Sequence, residues 1–111
     1  DRYKAARELA RRTGSTVVLK GAGSIVYFGS KGWVNITGNP RMATAGSGDV
    51  LAGLIAGLMA QGLSAVEAAR AGVYLHGIAG DLASEQGVRP IIATDIATNI
   101  PAAIAKWNKS R

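Results

Sequence analysis

The chain has 111 residues, a length typical of one domain with a modest core. It carries 13 Lys and Arg against 7 Asp and Glu, a formal net charge of +6, and 48% of its residues are hydrophobic. This composition excludes a disordered chain. The lack of cysteine excludes disulfides, zinc thiolate sites and cysteine nucleophiles, and a single histidine, His76, argues against a histidine-based metal site.

No run of 18 apolar residues occurs, so we predict no membrane span and no membrane partner. No charged-then-apolar leader opens the chain, and a cysteine-free protein suits a reducing compartment, so a cytoplasmic location is expected. Residue 1 is aspartate, which favours a processed chain or a piece of a longer one. The basic residues gather near the two ends, a distribution typical of solvated faces, and we expect no nucleic-acid partner.

Residues 1–14 have the apolar spacing of an amphipathic helix that ends at Gly14. The β-branched run from Thr16 to Lys20 predicts a buried strand, and GAGS follows as a turn. The segments SIVYFG and GWVNIT predict a hairpin whose strands are joined by residues 30–32.

Residues 50–61 are apolar nearly all round, which predicts a helix buried on most sides. Gly53 and Gly57 are expected to pack closely on a sheet. Ser64 and Glu67 have the spacing of a capping box. The helix that they open is predicted to reach about residue 86 and to stop at residue 87, with its three internal glycines (Gly72, Gly77, Gly80) serving tight packing.

Thr94 is predicted to cap the next helix, and Pro101 to break it, kink it or start a further short helix. The order is therefore helix, strand, hairpin and then three helices. Three strands and one apolar helix cannot cover both faces of a sheet well. The order thus indicates the trailing part of a larger α/β layer structure.

The turn before the apolar helix reads AGSGD, residues 45–49. Gly46 and Gly48 leave room for a ligand, and the unpaired N–H groups of a helix start form an anion site suited to a phosphoryl group. A phosphate would repel Asp49, so this carboxylate is suited to take a proton from a hydroxyl that attacks the phosphoryl group. The alternative is a charge that only stabilises the helix dipole, and composition alone gives the two equal weight.

A second glycine-rich segment, KGAGS at residues 20–24, follows the first predicted strand. It is neither a Walker A loop nor a GxGxxG turn that opens a helix. Lys20 could border a nucleotide there, although an ordinary turn accounts for the same residues. His76 is predicted to be a packed histidine, and Asp95 a dipole partner in a first helical turn.

Four segments, VVLKGAGS, GNPRMATAGSGDVLAGLIAGLMAQG, AGVYLHGIAGDLA and the late IIATDI…IP, resemble one family in the family's own order. The family is that of the ADP- or ATP-dependent NAD(P)H-hydrate dehydratases, the YjeF C-terminal-domain group of the ribokinase-like superfamily. MATAGSGDVLAG is specific to it, whereas other members of the superfamily carry a generic GxGD. Arg41 stands where the family more often has a small residue.

The resemblance covers almost the whole chain and implies an α/β fold, the C-terminal part of a ribokinase-like three-layer α/β/α sandwich. Residues 1–111 would be the C-terminal portion of one domain whose N-terminal portion is absent. That portion is expected in the same particle, as a separate chain or a cleaved fragment, because a bare sheet edge aggregates. A homo-oligomer is also expected.

The resemblance further implies the repair of hydrated NADH or NADPH as small-molecule substrate. ADP or ATP would phosphorylate the added hydroxyl, elimination of phosphate would restore the nicotinamide ring, and Mg²⁺ would bridge the phosphates. Asp49 would bind the hydrated dinucleotide and act as the base. The anion hole would comprise Thr44, Ala45, Gly46, Ser47 and Gly48, and the AMP moiety of the nucleotide would be lined by Lys20, Gly21, Ala22, Gly23, Ser24 and Gly48.

Two alternatives stay open. One is a small-molecule kinase of the same superfamily, acting on a carbohydrate or a vitamin precursor with the same base and anion hole. The other is a non-catalytic basic module, whose binding would depend steeply on salt and would not depend on Asp49. The glycine-aspartate turn has no purpose in such a module.

Overall fold

The computed structural model describes residues 1–87 and 90–110. Within them the order is a helix, three strands, a 3₁₀ turn at Pro40–Met42 and four further helices. The helices are α1 (Arg2–Thr13), α2 (Ser47–Ala60), α3 (Ala65–Gln86), α4 (Ala93–Thr98) and α5 (Ile100–Ser110). The strands are β1 (Val17–Leu19), β2 (Ile25–Phe28) and β3 (Lys31–Val34).

The three strands form an antiparallel sheet in the order β1-β2-β3, and helices cover both of its faces. Ile25 and Tyr27 of β2 pack against α1, whereas Val26, which points to the opposite face, packs against Leu51 of α2 and Val73 of α3. This alternation follows from the two-residue period of a strand. It produces helix, sheet and helix layers, the arrangement that the resemblance implies.

The hairpin is present, but its predicted connection at residues 30–32 was wrong. Phe28 pairs with Lys31, so the turn consists of Gly29 and Ser30. Gly29 has φ +62°, the conformation that the first central position of a type II′ turn requires. Gly32 belongs to β3 instead, where a β-carbon would lie 2.5 Å from the Tyr27 ring.

Strand β1 is half-buried, so the prediction of a buried strand was wrong. The reason lies in its position, because β1 is at the edge of the sheet and pairs with β2 alone among the described residues. Its outer edge therefore presents unpaired backbone groups to the surroundings.

The prediction that the apolar helix is buried on most sides was also wrong. Helix α2 begins at Ser47, three residues before the predicted start, and buries Leu51 alone. A β-carbon at Gly53 or Gly57 would meet no atom within 4 Å beyond the adjacent helix backbone, so these glycines make no close packing contact with another element among the described residues. One apolar face of α2, formed by Ala52, Gly53, Ala56, Gly57 and Met59, is exposed.

Helix α3 is the central element, and its predicted features are confirmed. The Ser64 hydroxyl accepts from the Glu67 N–H at 3.2 Å while the Glu67 carboxylate accepts from the Ser64 N–H at 2.9 Å. The helix ends at Gln86. Its glycines serve close packing: Gly72 against Ile55, Gly77 against Thr37 and Gly80 against Met42.

The C-terminal region consists of two helices separated at Asn99. The prediction that Thr94 caps the first was wrong, because α4 begins one residue earlier and the Asp95 carboxylate accepts from the Ile92 N–H at 2.8 Å. Pro101 lies in the first turn of α5, where its missing N–H is tolerated, so it starts a further helix. Every helix in the described ranges is too short or too polar to cross a membrane.

Candidate phosphate and nucleotide site

A cavity of about 650 Å³ lies where the loop after β1, the segment that leads into α2 and the middle of α3 meet. It brings together the two glycine-rich motifs that the sequence singled out. The predicted residues on its walls are Lys20, Gly21, Ala22, Gly23, Ser24, Thr44, Ser47 and Gly48. Three predicted residues, Ala45, Gly46 and Asp49, lie next to these walls without lining them.

Arg2 holds the KGAGS loop in place. Its guanidinium donates to the backbone carbonyls of Ala22 at 2.8 Å and of Leu19 and Lys20 at 3.3 Å. Because one planar group reaches carbonyls on both sides of the turn, it ties the loop to the start of α1. Inside the loop, Ser24 Oγ accepts from the Gly21 N–H at 3.3 Å, which closes the turn.

The segment that leads into α2 is fixed on α3 by side-chain hydrogen bonds to the helix backbone. Asn35 Nδ2 donates to the Val73 carbonyl at 3.1 Å, and Thr37 Oγ1 donates to the Tyr74 carbonyl at 2.8 Å. Gly77 allows this contact, because a β-carbon there would lie 2.6 Å from the Thr37 carbonyl carbon.

The 3₁₀ turn is anchored by Asp81, farther along α3. Its carboxylate accepts from the Gly38 N–H at 3.0 Å and from Asn39 Nδ2 at 2.7 Å. Arg41 donates from Nη1 to the Ser84 carbonyl at 3.1 Å, so the residue that departs from the family pattern is accommodated on the surface of α3. The sequence did not indicate that Asp81 supports this turn.

The turn at the start of α2 contains backbone N–H groups that make no hydrogen bond to the described residues. The Ser47 N–H donates to the Thr44 carbonyl at 3.2 Å, and the Thr44 N–H donates to the Met42 carbonyl at 2.8 Å. Among the described residues, the N–H groups of Ala45, Gly46 and Gly48 have no acceptor within the protein. Three free donors at a helix start form an anion site, since the helix dipole adds to them.

Lys20 adds a full positive charge to the same place. Its ammonium nitrogen lies against Gly48, so close that a β-carbon at this position would have to displace it. Within residues 1–87 and 90–110, no carboxylate lies within 4.0 Å of this ammonium group. An unneutralised lysine beside free N–H groups attracts an anion.

Asp49 lies in the first turn of α2, and its carboxylate is exposed. Its own N–H donates to the Gly46 carbonyl at 3.1 Å, so the backbone is fixed while the side chain faces outward. The position suits both interpretations that the sequence left open, a dipole partner and a base at the rim of the cavity. The role of Asp49 as a base therefore stays a prediction.

His76 of α3 is half-buried and lines the cavity, a role that the sequence did not indicate. Its Nε2 lies 3.1 Å from the Ser47 carbonyl oxygen and 3.4 Å from Ser47 Oγ. Burial lowers the pKa of His76, the hydrogen bond to Ser47 opposes this shift, and the charge of Lys20 adds to it. The imidazole is consequently neutral at physiological pH.

Metal ligands are sparse in this chain. The described residues contain no group of three or more His, Asp or Glu side chains that could hold a metal ion. They therefore form no protein cage for Mg²⁺, which commonly binds through substrate phosphates and one or two carboxylates.

The solved structures that resemble this chain define its class as ribokinase-like. The B. subtilis protein YxkO superposes with a TM-score of 0.90 at 28% identity, over 96% of this chain and 41% of YxkO. The B. subtilis ADP/ATP-dependent NAD(P)H-hydrate dehydratase, crystallised with ATP/Mg²⁺ and soaked with CoA, gives 0.89 at 28% identity, over 96% and 40%. A ribokinase-like superfamily protein from Enterococcus faecalis gives 0.81 at 35% identity, over 91% and 35%.

The sequence narrows this class to one family. The model of the NAD(P)H-hydrate dehydratase family matches residues 1–102, and the chain belongs to that family. The Neisseria meningitidis ADP-dependent (S)-NAD(P)H-hydrate dehydratase is 43% identical over an alignment of 112 positions, which covers 100% of this chain and 37% of that protein. The Moorella thermoacetica bifunctional NAD(P)H-hydrate repair enzyme is 48% identical over 103 residues, 91% of this chain and 19% of that protein. The chain thus spans only about a fifth to two fifths of these relatives.

Proposed function

We propose that this chain supplies the nucleotide site and the anion hole of an ADP- or ATP-dependent NAD(P)H-hydrate dehydratase. The observation that carries the proposal is the contact of Lys20 with Gly48, whose N–H is a free donor at the start of α2, on the wall of a cavity that the KGAGS loop also lines. Membership of the family and the names of the relatives support the same activity.

The nucleotide is proposed to lie along the KGAGS loop. Gly21, Ala22, Gly23 and Ser24, together with Gly48, would contact the AMP moiety, and Lys20 would direct the phosphates toward α2. The lack of side chains at the glycine positions leaves the backbone open to a ligand. The size of the cavity supports this placement, because ligand sites are typically about 300–1,000 Å³ in volume.

The transferred phosphoryl group is proposed to sit at the anion hole of residues 44–48. There the N–H groups of Ala45, Gly46 and Gly48 would donate hydrogen bonds to the phosphoryl oxygens and so stabilise the negative charge that builds up on them. Thr44 and Ser47 would shape the turn, since their own N–H groups already donate to carbonyls within it.

Asp49 is proposed to bind the hydrated dinucleotide and to accept the proton of its added hydroxyl. The hydroxyl oxygen forms a bond to phosphorus while the bond to the leaving phosphate of the nucleotide breaks. Phosphate then leaves with the electrons of the C–O bond while the lone pair of the ring nitrogen forms a C=N bond. Loss of a proton from the neighbouring ring carbon to solvent then forms the ring C=C bond and returns the lone pair to the nitrogen. Mg²⁺ bound to the nucleotide would neutralise phosphate charge, and no residue of this chain is assigned to it.

We further propose that residues 1–111 are the C-terminal portion of one domain. Two exposed surfaces support this: the apolar face of α2 and the outer edge of β1. The solved structures that resemble the chain are more than twice its length, so they contain additional chain that could cover such surfaces. A cytoplasmic location and a homo-oligomer stay predictions.

The test is a chimera in which this chain replaces the matching segment of the N. meningitidis enzyme. Hydrated NADH, ADP or ATP and Mg²⁺ are supplied, and the return of NADH absorbance is followed with the unaltered N. meningitidis enzyme as reference. The chimera is expected to restore NADH, and Asp49→Asn to slow it by about 10²–10⁴-fold, the usual contribution of a general base. A folded chimera that restores no NADH beside an active reference would refute the proposal.

The same site could serve a small-molecule kinase, because an anion hole and a base are also what phosphoryl transfer to a stable alcohol requires. The chimera distinguishes the two by its products. A dehydratase releases NADH and inorganic phosphate, whereas a kinase leaves a phosphorylated alcohol.

A basic binding module is disfavoured because several basic side chains make hydrogen bonds or ion pairs within the chain. Arg2 is engaged in hydrogen bonds to the KGAGS loop, and Glu8 pairs with Arg11 at 2.7 Å and with Arg12 at 3.2 Å.

A further inference from the structure

The peptide unit between Ser47 and Gly48 is contacted by side chains from two different elements. His76 of α3 reaches its carbonyl oxygen at 3.1 Å, and the ammonium group of Lys20 lies against Gly48. We propose that His76 is a positioning residue of the anion hole, which fixes the direction of the Gly48 N–H through the Ser47 carbonyl. The inference rests on the proposed function of this turn.

The hydrogen bond determines the state of the imidazole. A carbonyl oxygen can only accept, so the 3.1 Å contact to the Ser47 carbonyl, shorter than the 3.4 Å contact to Ser47 Oγ, assigns the proton to Nε2 of His76. Because burial and the nearby charge of Lys20 lower the pKa of His76, the ring is neutral and its Nδ1 carries no proton. His76 therefore orients the peptide without bringing a second cation next to Lys20.

The planarity of the peptide bond transmits this contact to the anion hole. In a trans peptide the carbonyl and the N–H of the next residue lie in one plane and point in opposite directions. Holding the Ser47 oxygen on the side of α3 therefore fixes the Gly48 N–H on the opposite side. That N–H is one of the three free donors at the start of α2.

The hydrogen bond also changes the strength of the donor. A carbonyl that accepts a hydrogen bond polarises its peptide, which makes the N–H of the same unit a better donor. A carbonyl oxygen has two lone pairs, so the bond to His76 can coexist with the helical bond of the first turn of α2. His76 thus contributes to the anion hole without contacting the phosphate.

The turn of α3 that contains His76 is held in place by contacts with Thr37. The neighbouring Gly77 packs directly on Thr37, and the Tyr74 carbonyl accepts from the Thr37 hydroxyl at 2.8 Å. The same turn of α3 consequently holds two walls of the cavity, the segment around Thr37 and the start of α2. Among the described residues, Lys20 is the charged group outside α3 whose charge lowers the pKa of His76.

The test compares His76→Ala with His76→Gln in the chimera, because glutamine can place a neutral N–H donor near the position of Nε2. His76→Ala is expected to lower kcat by about 10–100-fold, the range observed when residues that orient metal ligands are replaced. The KM for the nucleotide is expected to change less than threefold, and His76→Gln to recover most of the lost kcat. A change in KM alone, or the same loss in both variants, would overturn the inference.

A second readout does not depend on the reaction. In ¹⁵N-labelled chimera, inorganic phosphate is titrated while the Gly48 amide resonance is followed by NMR. In the unaltered chimera and in His76→Gln this resonance is expected to move downfield as phosphate binds, and in His76→Ala to move by less than half as much. Equal movement in all three proteins would overturn the inference.

The two readouts separate this inference from the proposed function. A chimera that binds phosphate at Gly48 in a His76-dependent way but restores no NADH would refute the dehydratase and leave the positioning role supported. If His76→Ala fails to fold, the unaltered chimera still decides, because the ¹⁵N shifts of its imidazole report the tautomer. A proton on Nδ1 instead of Nε2 would overturn the inference.

Discussion

The ammonium nitrogen of Lys20 lies so close to Gly48 that a β-carbon at position 48 would overlap it. The residues are 28 positions apart in sequence, one directly after β1 and the other in the first turn of α2. Their contact places a lysine charge and a helix N-terminus at one point. Both are electropositive, so an anion that binds between them is attracted by both.

We predict that Gly48→Ala and Lys20→Met are coupled. The alanine methyl group must displace the lysine, so Gly48→Ala in the chimera is expected to raise the KM for ADP by about tenfold, equivalent to about 1.4 kcal/mol. In the Lys20→Met background the same substitution should raise KM much less, because the displaced charge is already gone. A double-mutant cycle on KM measures this coupling, and Lys4→Met on the exposed face of α1 is the matched control for loss of a lysine. Strictly additive effects would show that Lys20 and Gly48 act independently.

The parts of the fold that depend on residues close together in the sequence could be predicted from it. The capping box at Ser64 and Glu67 is formed by residues three apart, and the structure contains both of its hydrogen bonds. The glycines of α3 signal close packing because a glycine inside a helix is otherwise destabilising. Gly72 and Gly77 do meet Ile55 and Thr37.

The exposure of α2 could not be predicted in the same way. An apolar helix is buried only where another element covers it, and within this structure nothing lies within 4 Å of the β-carbon positions at Gly53 and Gly57. The contacts that shape the site are equally non-local. Arg2 reaches carbonyls 17–21 residues away, and His76 reaches Ser47 over 29 residues. The sequence could suggest both glycine loops as ligand sites, but not the side chains that hold them.

Arg2 is predicted to support the nucleotide loop from outside the cavity. Arg2→Ala removes the guanidinium that bonds to the carbonyls of Leu19, Lys20 and Ala22, so the KGAGS loop should become mobile. We expect a loss of about 1–2 kcal/mol in the free energy of unfolding, the usual magnitude for hydrogen bonds to a charged group that is partly solvated.

Arg7→Ala on the same helix is the matched control, since Arg7 is exposed. It should change stability by less than about 0.5 kcal/mol, as is usual for surface substitutions. Urea unfolding of the two variants in the chimera provides the comparison. Equal stability of both variants would contradict the assigned role of Arg2.

Two glycines of α3 are predicted to differ in their tolerance of alanine. A β-carbon at Gly77 would lie 2.6 Å from the Thr37 carbonyl carbon, which belongs to the backbone and cannot move without shifting the cavity wall. The three atoms nearest to a β-carbon at Gly80 would all belong to the flexible side chain of Met42. Gly77→Ala should therefore destabilise by about 1–3 kcal/mol, as overpacking does, and Gly80→Ala by less. Thermal unfolding of the two variants checks the order, and the reverse order would contradict the rigidity assigned to the segment at Thr37.

The last prediction concerns pH. Burial lowers the pKa of His76 below the ordinary value of about 6.5, so the folded state favours the neutral imidazole and the unfolded state binds more protons. The contribution of His76 to stability is therefore complete above pH 6.5. It is lost as the pH falls from 6.5 through the pKa of the folded state, where His76 charges beside Lys20.

The free energy of unfolding of the chimera should accordingly decrease over this interval, and part of the decrease should vanish in His76→Gln, which does not titrate. Urea titrations at several pH values between 7.5 and 5 provide the measurement, and the difference between the two proteins isolates His76 from the carboxylates. Raised salt should reduce that difference only slightly, because burial is the larger cause of the shift and the charge of Lys20 the smaller one. Identical slopes in the two proteins would show that His76 charges as easily in the folded state as in the unfolded one, and that it is not held neutral against Ser47.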